Sequence, residues 1–580
     1  MHAPKPAAVP AQASSGAVKR LTAEDYLAAL HEQGIDCLFA NAGTDFPPII
    51  EAFSRMKQAG EAAPRPVTVP HETAAVCMAH GYYLMTGRPQ ALMVHVNVGT
   101  ANTLCALINS ARDNVPILLT AGRTPITESG LHGTRSRPIH WAQEMFDQAG
   151  MLREAVKWDY ELHANQHPGE VVGRALEIAM SEPRGPVYLT LPREVLAMPS
   201  PVARPAARRA VAEAPHPAPE AIAKATEWLA GAERPLIIAA RSGSTAGGVD
   251  ALSRLAERYA FPVVSHNPRY VCLPYSHPMH LGYLPKEPLA EADVVVVLDS
   301  DVPWILNLEG PPTGAKVIHL GTDPAFVRYP MRSFPSDLTI AANPEATLRA
   351  LDAALERTGL ARKPQTEIRR AKIAAQSARQ RAAWKEEAEK SGKEPVIRPP
   401  WISRCLGEVL GDDAVVFNEY PLKLEYCAFE RPMSYFGLSP AGGLGWSLPA
   451  ALGAKLAAPE KLCVATIGDG SYIFANPTAC HWVADAHQLP VLTIVFNNSL
   501  WGAVRNATLA MYREGAAARD NHRTLADLSP SPAFEKIVEA QGGFGERVEK
   551  PADLPAALKR AVTAVRGGRQ ALLNVVCQTP

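Results

Sequence analysis

The sequence lacks three features that would point to common functional classes. Lys and Arg together number 58, as do Asp and Glu, so no net charge attracts nucleic acid or an anionic membrane. No apolar run approaches the roughly 18 residues that cross a bilayer. The nine cysteines are scattered and include no C-x-x-C pair, which argues against a disulfide framework and against a zinc site. These absences favour a cytoplasmic protein that acts on a small molecule, with no nucleic-acid or membrane partner.

The chain is long enough for three domains of ordinary size. It has 580 residues, of which 47% are hydrophobic, and this content is sufficient for sizeable cores. Residues 1–19 are rich in Ala and Pro and lack the apolar segment of a secretion signal, so we expect a disordered tail. An organelle transit peptide is the alternative for this tail.

Helical and strand patterns alternate along most of the remaining sequence. The alternation predicts an α/β fold with three doubly wound parallel-sheet domains, at 20–200, 215–356 and 398–580. A Pro- and Ala-rich linker joins the first two domains. The charged segment 361–395 has few core residues, and we interpret it as a solvated helical linker to the third domain.

A motif in the third domain combines glycine, carboxylate and amide groups. The motif G-D-G follows one apolar run and N-N ends the next, with 26 residues (471–496) between them. Because parallel strands end at the same edge of a sheet, we expect Asp469 and Asn498 to converge beside a helix N-terminus. Their oxygens suit Mg²⁺, and the glycines admit a diphosphate. A simple helix cap at Asp469 is the alternative.

This spacing resembles the thiamine diphosphate (ThDP) motif of the decarboxylase and acetolactate synthase superfamily. A second stretch, S-P-A-G-G-L-G-W-S-L-P-A-A at 439–451, closely resembles one in the benzoylformate decarboxylases of that superfamily. The resemblance extends over residues 20–580. It implies a pyrimidine-binding domain, a middle domain and a diphosphate-binding domain, in that order.

The resemblance implies a site for ThDP and Mg²⁺ in the third domain. Asp469 and Asn498 match the metal ligands of the family, and Leu500 matches the residue that adds a backbone carbonyl. Gly470 and Ser471 match the contacts to the diphosphate.

The glycine-rich stretch is implied to hold the rings of the cofactor. Gly442 matches the position whose carbonyl accepts a hydrogen bond from the 4′-amino group. Leu444 matches the apolar residue that keeps ThDP bent, which brings that amino group against C2. The family has a hydroxyl-rich segment after N-E, and here it is replaced by Tyr420-Pro421-Leu422. One expected phosphate contact is therefore missing from the pattern.

Glu72 and His95 are the implied catalytic residues of the first domain. They lie at the ends of the predicted strands P-V-T-V-P and A-L-M-V-H-V. The segment around Glu72 resembles the one with the cofactor-activating glutamate, which promotes the imino tautomer that deprotonates C2. His95, before G-T-A-N, resembles a proton-relaying histidine of the benzoylformate decarboxylases. Without the resemblance, Glu72 is a helix N-terminal acid and His95 a buried core residue.

Two further features of the first domain have open interpretations. Thr44 either faces the substrate, as a hydroxyl residue does in the same enzymes, or caps a helix. The segment 131–144 either lines the substrate entrance or forms a solvated loop. Its candidate residues are His132, Arg135, Arg137 and His140.

The middle domain departs from two patterns of the family. The segment A-D-V-V-V-V-L-D-S-D-V-P-W-I-L-N-L-E-G-P-P lacks the Gly-Ala-Arg pattern of relatives that bind FAD, so we do not expect FAD. The same segment lacks the histidine that benzoylformate decarboxylases have in this domain, so we do not expect an identical catalytic apparatus.

The resemblance implies a lyase that decarboxylates a 2-oxo acid through a C2 ylid and an enamine. The first alternative is an acetolactate synthase-like carboligase, in which the enamine attacks a second carbonyl. The second is a family member without activity, against which the intact Glu72, Asp469 and Asn498 argue. Since Glu72 and Asp469 come from different subunits in the family, we expect a homodimer or homotetramer with active sites at the subunit interface.

Overall fold

The computed structural model describes residues 20–201, 209–519 and 523–578. In these residues three parallel β-sheets follow one another along the chain, each with its own helices. This confirms the predicted α/β fold of three doubly wound parallel-sheet domains. The predicted tail at 1–19 lies outside the described residues.

The first sheet has six parallel strands in the order β2-β1-β3-β4-β6-β5. Helices cover both faces of this sheet. Alternate residues of its central strands accordingly belong to two separate apolar clusters, one on each face. Burial on both faces explains why these strands are nearly continuous apolar runs. The strands are β1 (Cys37–Ala40), β2 (Arg65–Thr68), β3 (Gln90–Val94), β4 (Ile117–Arg123), β5 (Asp159–Glu161) and β6 (Val187–Pro192). The helices are α1 (Thr22–Glu32), α2 (Pro47–Ala59), α3 (Glu72–Thr86), α4 (Val96–Arg112), α5 (Ile139–Ala142), α6 (Pro168–Met180) and α7 (Arg193–Ala197).

One strand boundary differs from the predicted one. β3 ends at Val94, and α4 begins at Val96 with His95 as its N-cap. Val96 has a φ of 31°, which a β-branched residue rarely adopts, so the backbone turns sharply at this point. His95 is therefore the residue between strand and helix, and the G-T-A-N segment is helical.

The second sheet has five parallel strands in the order β11-β10-β9-β7-β8. Its strands are β7 (Pro235–Ala239), β8 (Val263–Ser265), β9 (Val294–Leu298), β10 (Lys316–Gly321) and β11 (Leu338–Ala341). Its helices are α8 (Pro219–Gly231), α9 (Ala246–Tyr259), α10 (Lys286–Glu291) and α11 (Pro344–Glu356).

The charged segment after this domain forms the helix α12 (Pro364–Ser391). Most of its surface is polar, but one side is fastened to the second domain. The Arg369 guanidinium donates hydrogen bonds to the carbonyls of Tyr259 and Ala260 at 2.9 and 3.0 Å.

The third sheet has six parallel strands in the order β13-β12-β14-β15-β17-β16. Counted within each domain, this is the strand order of the first sheet. The strands are β12 (Ala414–Glu419), β13 (Tyr435–Gly437), β14 (Leu462–Gly468), β15 (Leu492–Asn497), β16 (Phe544–Val548) and β17 (Ala571–Val576). The helices are α13 (Pro399–Val409), α14 (Ser447–Ala457), α15 (Asp469–Phe474), α16 (Pro477–Ala486), α17 (Gly502–Met511), α18 (Ala516–Arg519), α19 (Phe534–Glu539) and α20 (Leu554–Arg566).

Helices α3 and α14 join the first and third domains at backbone distance. A Cβ atom on Gly81 would lie 1.9 Å from the Ala450 carbonyl oxygen, and one on Gly453 would lie 1.9 Å from the Met78 carbonyl oxygen. Only glycine permits this approach. The first and third sheets are therefore held together by the helices that begin at their functional segments.

Among the helices of the three described segments, none has the length and apolar character needed to cross a bilayer.

Candidate active site

Asp469 lies at the edge where β14 and β15 end. Gly468 of β14 pairs with Phe496 of β15, so the residues that follow the two strands are neighbours. Asp469 is buried, and its Oδ1 accepts a 2.8 Å hydrogen bond from the Gly470 N–H. Its Oδ2 is buried and has no hydrogen-bond partner. A carboxylate oxygen left free in this way is a candidate metal ligand.

The environment of Asp469 also bears on its charge. Burial raises the pKa of the Asp469 carboxyl above its usual value, and the backbone N–H groups of Gly470 and residues 498–500 oppose that rise. A cation at Oδ2 would act in the same direction as these N–H groups, because both stabilise the ionised form. The helix-cap alternative for Asp469 does not describe this arrangement, since Gly468 is the N-cap of α15.

The two asparagines at the end of β15 have different environments. Asn497 is buried, and its amide donates to Ser531 Oγ and Asn574 Oδ1 at 2.6 and 2.8 Å. Asn498 is half-buried, and its Oδ1 accepts a 3.1 Å hydrogen bond from the Leu500 N–H. Asn497 is thus held by protein side chains, and Asn498 stays the predicted ligand.

A metal at this edge would need oxygens from outside the chain. In the part of the chain that the structure describes, no three His, Cys, Asp or Glu side chains lie close enough together to hold a metal ion. The predicted donors are one carboxylate (Asp469), one amide (Asn498) and one carbonyl (Leu500). Mg²⁺ takes six oxygens and commonly shares phosphate oxygens, so this donor set fits a cation that arrives with a diphosphate.

Gly470 and Ser471 follow Asp469 in the first turn of α15. A Cβ atom on Gly470 would lie 2.4 Å from the Trp501 ring, so the position requires glycine. Ser471 is buried, and its hydroxyl contacts the Glu419 carboxylate. The Ser471 hydroxyl therefore has a protein partner already, and its contact with diphosphate stays a prediction.

Glu419, the last residue of β12, holds the glycine-rich loop. Its carboxylate is buried and accepts three backbone hydrogen bonds, from Gly445, Trp446 and Ser447, at 2.7, 2.7 and 2.9 Å. Burial raises the pKa of Glu419, while these N–H groups and Ser471 oppose the rise. The contact fixes the N-terminus of α14, where unpaired N–H groups are available.

The other end of the glycine-rich loop is fixed by the first domain. Asn109 of α4 donates to the Gly443 carbonyl at 2.7 Å and accepts from the Gly443 N–H at 2.9 Å. Gly442 has a φ of 71°, in the region that favours glycine, and Leu444 is half-buried. Tyr420, after β12, has a φ of 75°, and its hydroxyl lies 3.3 Å from where a Cβ on Gly442 would be. A hydroxyl is therefore present beside Gly442, although the sequence departs from the family here.

Glu72 is the first residue of α3, and two side chains hold its carboxylate. Asn41, after β1, donates to Oε1 at 2.8 Å, and Asn102 of α4 donates to Oε2 at 2.6 Å. A Cβ atom on Gly99 would lie 3.4 Å from Oε1. A helix N-terminal acid that served only the helix dipole would not need these two amide donors.

His95 is paired with a carboxylate that the sequence patterns do not indicate. Its Nδ1 lies 2.5 Å from Asp45 Oδ1, and its Nε2 lies 3.4 Å from Gln143 Nε2. Asp45 is buried, whereas His95 is partly exposed. His95 is thus neither a core residue nor a solvated one.

Thr44, beside this pair, is not a helix cap. Helix α2 begins at Pro47, and Phe46 is its N-cap, so the capping alternative for Thr44 is wrong. The Thr44 carbonyl accepts a 3.0 Å hydrogen bond from Arg193, which also donates to Gly133 and Thr134. Arg193 therefore ties the segment 131–144 to the turn after β1.

The basic residues of the segment 131–144 divide into two groups. His132 and Arg137 are exposed. Arg135 forms an ion pair with Glu144. His140 is buried, its Nδ1 accepts a 3.0 Å hydrogen bond from a backbone N–H, and its Nε2 has no partner. Burial, together with the nearby arginines, lowers the pKa of His140. The segment is thus partly packed, so it is not wholly a solvated loop.

Sequence patterns alone do not single out Asn41, Asp45, Asn102, Gln143 or Glu419. Asn41 directly follows β1 and Asp45 lies four residues further on in the same turn. Polar residues after a parallel strand are the signal that could have found them. Asn102 and Gln143 reach the site from a helix face and a distant loop, so no local spacing marks them.

Three family models match the chain in the order of its three sheets. The thiamine pyrophosphate enzyme N-terminal TPP binding domain matches residues 21–151, the central domain matches 222–351, and the C-terminal TPP binding domain matches 422–575. The predicted kinship with ThDP-dependent decarboxylases and acetolactate synthases is confirmed.

Similar proteins extend over nearly the whole chain. A benzoylformate decarboxylase from Pseudomonas aeruginosa is 26% identical over 95% of this chain and 97% of its own length. A probable acetolactate synthase from Mycobacterium bovis is 26% identical, with 94% of each chain covered. The solved structure of a benzoylformate decarboxylase from Polynucleobacter necessarius matches with a TM-score of 0.76, covering 96% of this chain and 99% of the other at 19% identity, and it supports the fold alone.

The three family models match the chain in the same order as its three sheets. The chain belongs to the family of thiamine pyrophosphate enzymes.

Proposed function

We propose that the protein is a ThDP- and Mg²⁺-dependent lyase that removes CO₂ from a 2-oxo acid without oxidation and releases an aldehyde. The observation that carries this proposal is a single turn after β1, residues 41–45, which contacts two candidate catalytic groups. Asn41 holds Glu72, and Asp45 holds His95. A carboxylate suited to the cofactor ring and an imidazole suited to proton transfer are therefore supported by one turn.

The residues present fit the cofactor. Bound ThDP supplies a nucleophilic carbon and a ring that accepts the electrons of the breaking carboxylate bond. Glu72 would hold the pyrimidine ring, with its carboxylate oriented by Asn41 and Asn102. His95 would hold or move a proton at Nε2, the ring nitrogen that does not contact Asp45.

The third domain would bind the other half of the cofactor. Asp469, through its unpartnered Oδ2, would ligate Mg²⁺ together with Asn498 and the Leu500 carbonyl. Gly442 and Leu444 would contact the rings, and Gly470 and Ser471 the diphosphate. FAD has no place in this proposal, so the purified protein should lack a flavin absorbance band.

An acetolactate synthase-like carboligase is the second candidate. The probable acetolactate synthase from Mycobacterium bovis matches this chain at the same identity as the benzoylformate decarboxylase does. Both reactions use the same cofactor chemistry and differ in whether a proton or a second carbonyl compound reacts last. A proton donor at His95 favours the lyase.

Product analysis separates the two candidates. The protein, with ThDP and Mg²⁺, is incubated with benzoylformate and with pyruvate, and CO₂ and products are measured. Benzaldehyde and CO₂ in equal amounts support the lyase, and acetolactate from pyruvate supports the carboligase. If a panel of aromatic and aliphatic 2-oxo acids gives no ThDP-dependent CO₂ release, the proposed function is wrong.

We also propose that each site is shared between two subunits of a homodimer or homotetramer. Mixing tests this directly. At ThDP and Mg²⁺ concentrations that saturate the wild type but not Asp469→Asn, the Glu72→Gln and Asp469→Asn homomers should each have little activity. A mixed dimer contains one site with both residues intact if they come from different subunits. Activity regained after the two variants exchange subunits supports a shared site. No regain, with exchange verified by native mass spectrometry, contradicts it.

A further inference from the structure

The His95 imidazole is held at both of its nitrogens. Nδ1 lies 2.5 Å from Asp45 Oδ1, and Nε2 lies 3.4 Å from the amide nitrogen of Gln143. The Asp45 side chain is 2% exposed and that of His95 is 19% exposed. The carboxylate therefore supports the imidazole from the interior, while Nε2 faces Gln143, which is half-buried.

Two glycines make room for the Asp45–His95 pair. A Cβ atom on Gly43 would lie 2.1 Å from His95 Nδ1, and one on Gly122 would lie 1.7 Å from Asp45 Oδ2. Neither glycine has a positive φ, so the backbone conformation does not require glycine at these positions. The space occupied by the pair does require it, because any side chain would displace one partner.

The other contacts of Asp45 leave His95 as its main partner. Asp45 Oδ2 accepts a long, 3.4 Å hydrogen bond from the Val96 N–H. Arg193 is close enough to interact electrostatically with Asp45, but its guanidinium donates to the carbonyls of Thr44, Gly133 and Thr134 instead. The buried charge of Asp45 is thus directed at the Nδ1–H of the imidazole.

We propose that Asp45 is a positioning residue that keeps the proton of neutral His95 on Nδ1 and so presents the Nε2 lone pair to the reacting group. This inference rests on the proposed function, in which His95 moves a proton. A carboxylate accepts hydrogen bonds only, so Nδ1 must carry hydrogen whenever the pair is formed. The remaining nitrogen, Nε2, is then the one that gains and loses a proton.

Gln143 can serve both protonation states of Nε2. Its amide NH₂ donates to the lone pair of neutral His95, and rotation of the carboxamide by 180° offers the oxygen to a protonated Nε2. Asp45 and Gln143 therefore have separate tasks: Asp45 fixes which nitrogen reacts, and Gln143 satisfies that nitrogen between turnovers.

Asp45→Asn tests the inference, because the Asn amide can donate to Nδ1 and so favours the other tautomer. We expect kcat to fall roughly 10- to 100-fold, as for other groups that orient a functional imidazole, with KM and the ThDP dissociation constant little changed. The double variant Asp45→Asn/His95→Gln should be no slower than His95→Gln alone, because Asp45 acts through His95. Asp159→Asn, which alters a carboxylate paired with Arg153 elsewhere in the same domain, is the matched control.

A spectroscopic measurement needs no Asp45 variant. In the ThDP- and Mg²⁺-loaded wild-type enzyme labelled with ¹⁵N-histidine, the His95 signals are those absent from His95→Gln, and their shifts report which nitrogen carries hydrogen. Protonation at Nδ1 in the neutral ring is expected. Protonation at Nε2 overturns the inference, and so does an Asp45→Asn enzyme that folds and has wild-type kcat.

The failure of the inference is distinguishable from that of the proposed function. If His95→Gln turns over at the wild-type rate, His95 moves no proton and the role given to it in the proposed function fails. If His95→Gln is slow while Asp45→Asn is not, the role of His95 stands and only the role of Asp45 is wrong.

Discussion

The first and third sheets share one strand order, and in both sheets the residues that follow a given strand have the same kind of task. In each, the first strand leads to a carboxylate that supports another group: Asp45 after β1 and Glu419 at the end of β12. In each, the third strand leads to a group with a proposed function: His95 after β3 and Asp469 after β14. The same position in the two sheets therefore has the same structural task, although the chemistry of the residues differs.

The difference between the two edges lies in what the supporting carboxylate holds. Asp45 accepts from a side chain that can exchange a proton, whereas Glu419 accepts three backbone N–H groups that cannot. The acting groups differ accordingly, since His95 has a partner at each nitrogen and Asp469 keeps one oxygen without a partner. In the proposed function the same fold would support proton transfer at one edge and cation binding at the other, and the residues after the strands would decide which.

The largest effect should come from Glu72→Gln at the first edge. Removing the carboxyl while keeping its shape should lower kcat by about 10³-fold or more, because a proton can no longer be shared with the cofactor ring. ThDP should still bind, since the diphosphate contacts are in the other sheet. Turnover and ThDP titration are the measurements, and the exposed Glu51→Gln is the control. Near-wild-type turnover would sink the role of Glu72.

Asp469→Asn, at the edge of the third sheet, should weaken the binding of Mg²⁺ and ThDP and leave the chemical step unaffected. Losing a charged ligand should weaken the apparent affinity for Mg²⁺ and ThDP by about 100-fold or more. Calorimetric titration measures this, and excess cofactor should restore part of the activity, which it cannot do for Glu72→Gln. Asp485→Asn, at an exposed position of α16, serves as the control. Unchanged affinity would contradict the metal site.

Glu419→Gln tests the support that a carboxylate gives to backbone N–H groups, in contrast to the support that Asp45 gives to a side chain. Glutamine offers one acceptor oxygen to three N–H groups, so at least one buried N–H loses its partner, at a cost of about 2 kcal/mol. We expect a lower Tm and weaker ThDP binding, because the loop before α14 loosens. The control is Glu408→Gln, whose side chain is exposed and paired with Arg404 on α13. If Tm and affinity both match the wild type, the three hydrogen bonds do not fix the loop.

The pH dependence of stability at His80 reports on the contact between α3 of the first domain and α14 of the third. His80 is buried in α3 against Trp446 of the third domain, and burial lowers its pKa to about 3. Because the unfolded chain takes up the proton first, near pH 6.5, stability should fall as the pH drops from about 6.5 toward 3, by about 1 kcal/mol at pH 5.5. His80→Gln should lose this part of the pH dependence of Tm.

Exposed His132→Gln is the control for that measurement, and it should leave the pH dependence of Tm as in the wild type. The buried His280 and His481, whose pKa values burial also lowers, contribute in the same direction, so the wild-type loss on acidification should exceed the His80 share. A His80→Gln variant with the full wild-type pH dependence would mean that the α3–α14 contact opens before His80 is protonated.

Local pattern was sufficient for the fold and for placing the two predicted metal ligands at one sheet edge. Alternating strands and helices require parallel sheets, and parallel strands end at a common edge, so the spacing of Asp469 and Asn498 placed both there. The same reasoning failed at Val96, where a strained φ ends the strand early. The capping alternative for Thr44 failed because the helix begins two residues later than a cap at Thr44 would require.

The sequence by itself determined the order of the three sheets, the family, and which strand each candidate residue lies near, because these depend on neighbours within a few positions. Only the tertiary structure decided which side chains support the candidate catalytic and binding residues. Asp45 and His95 are 50 positions apart, and Asn109 and Gly443 are 334 apart. Such pairs form because sheets and helices pack at contact distance, and the packing depends on the whole chain at once.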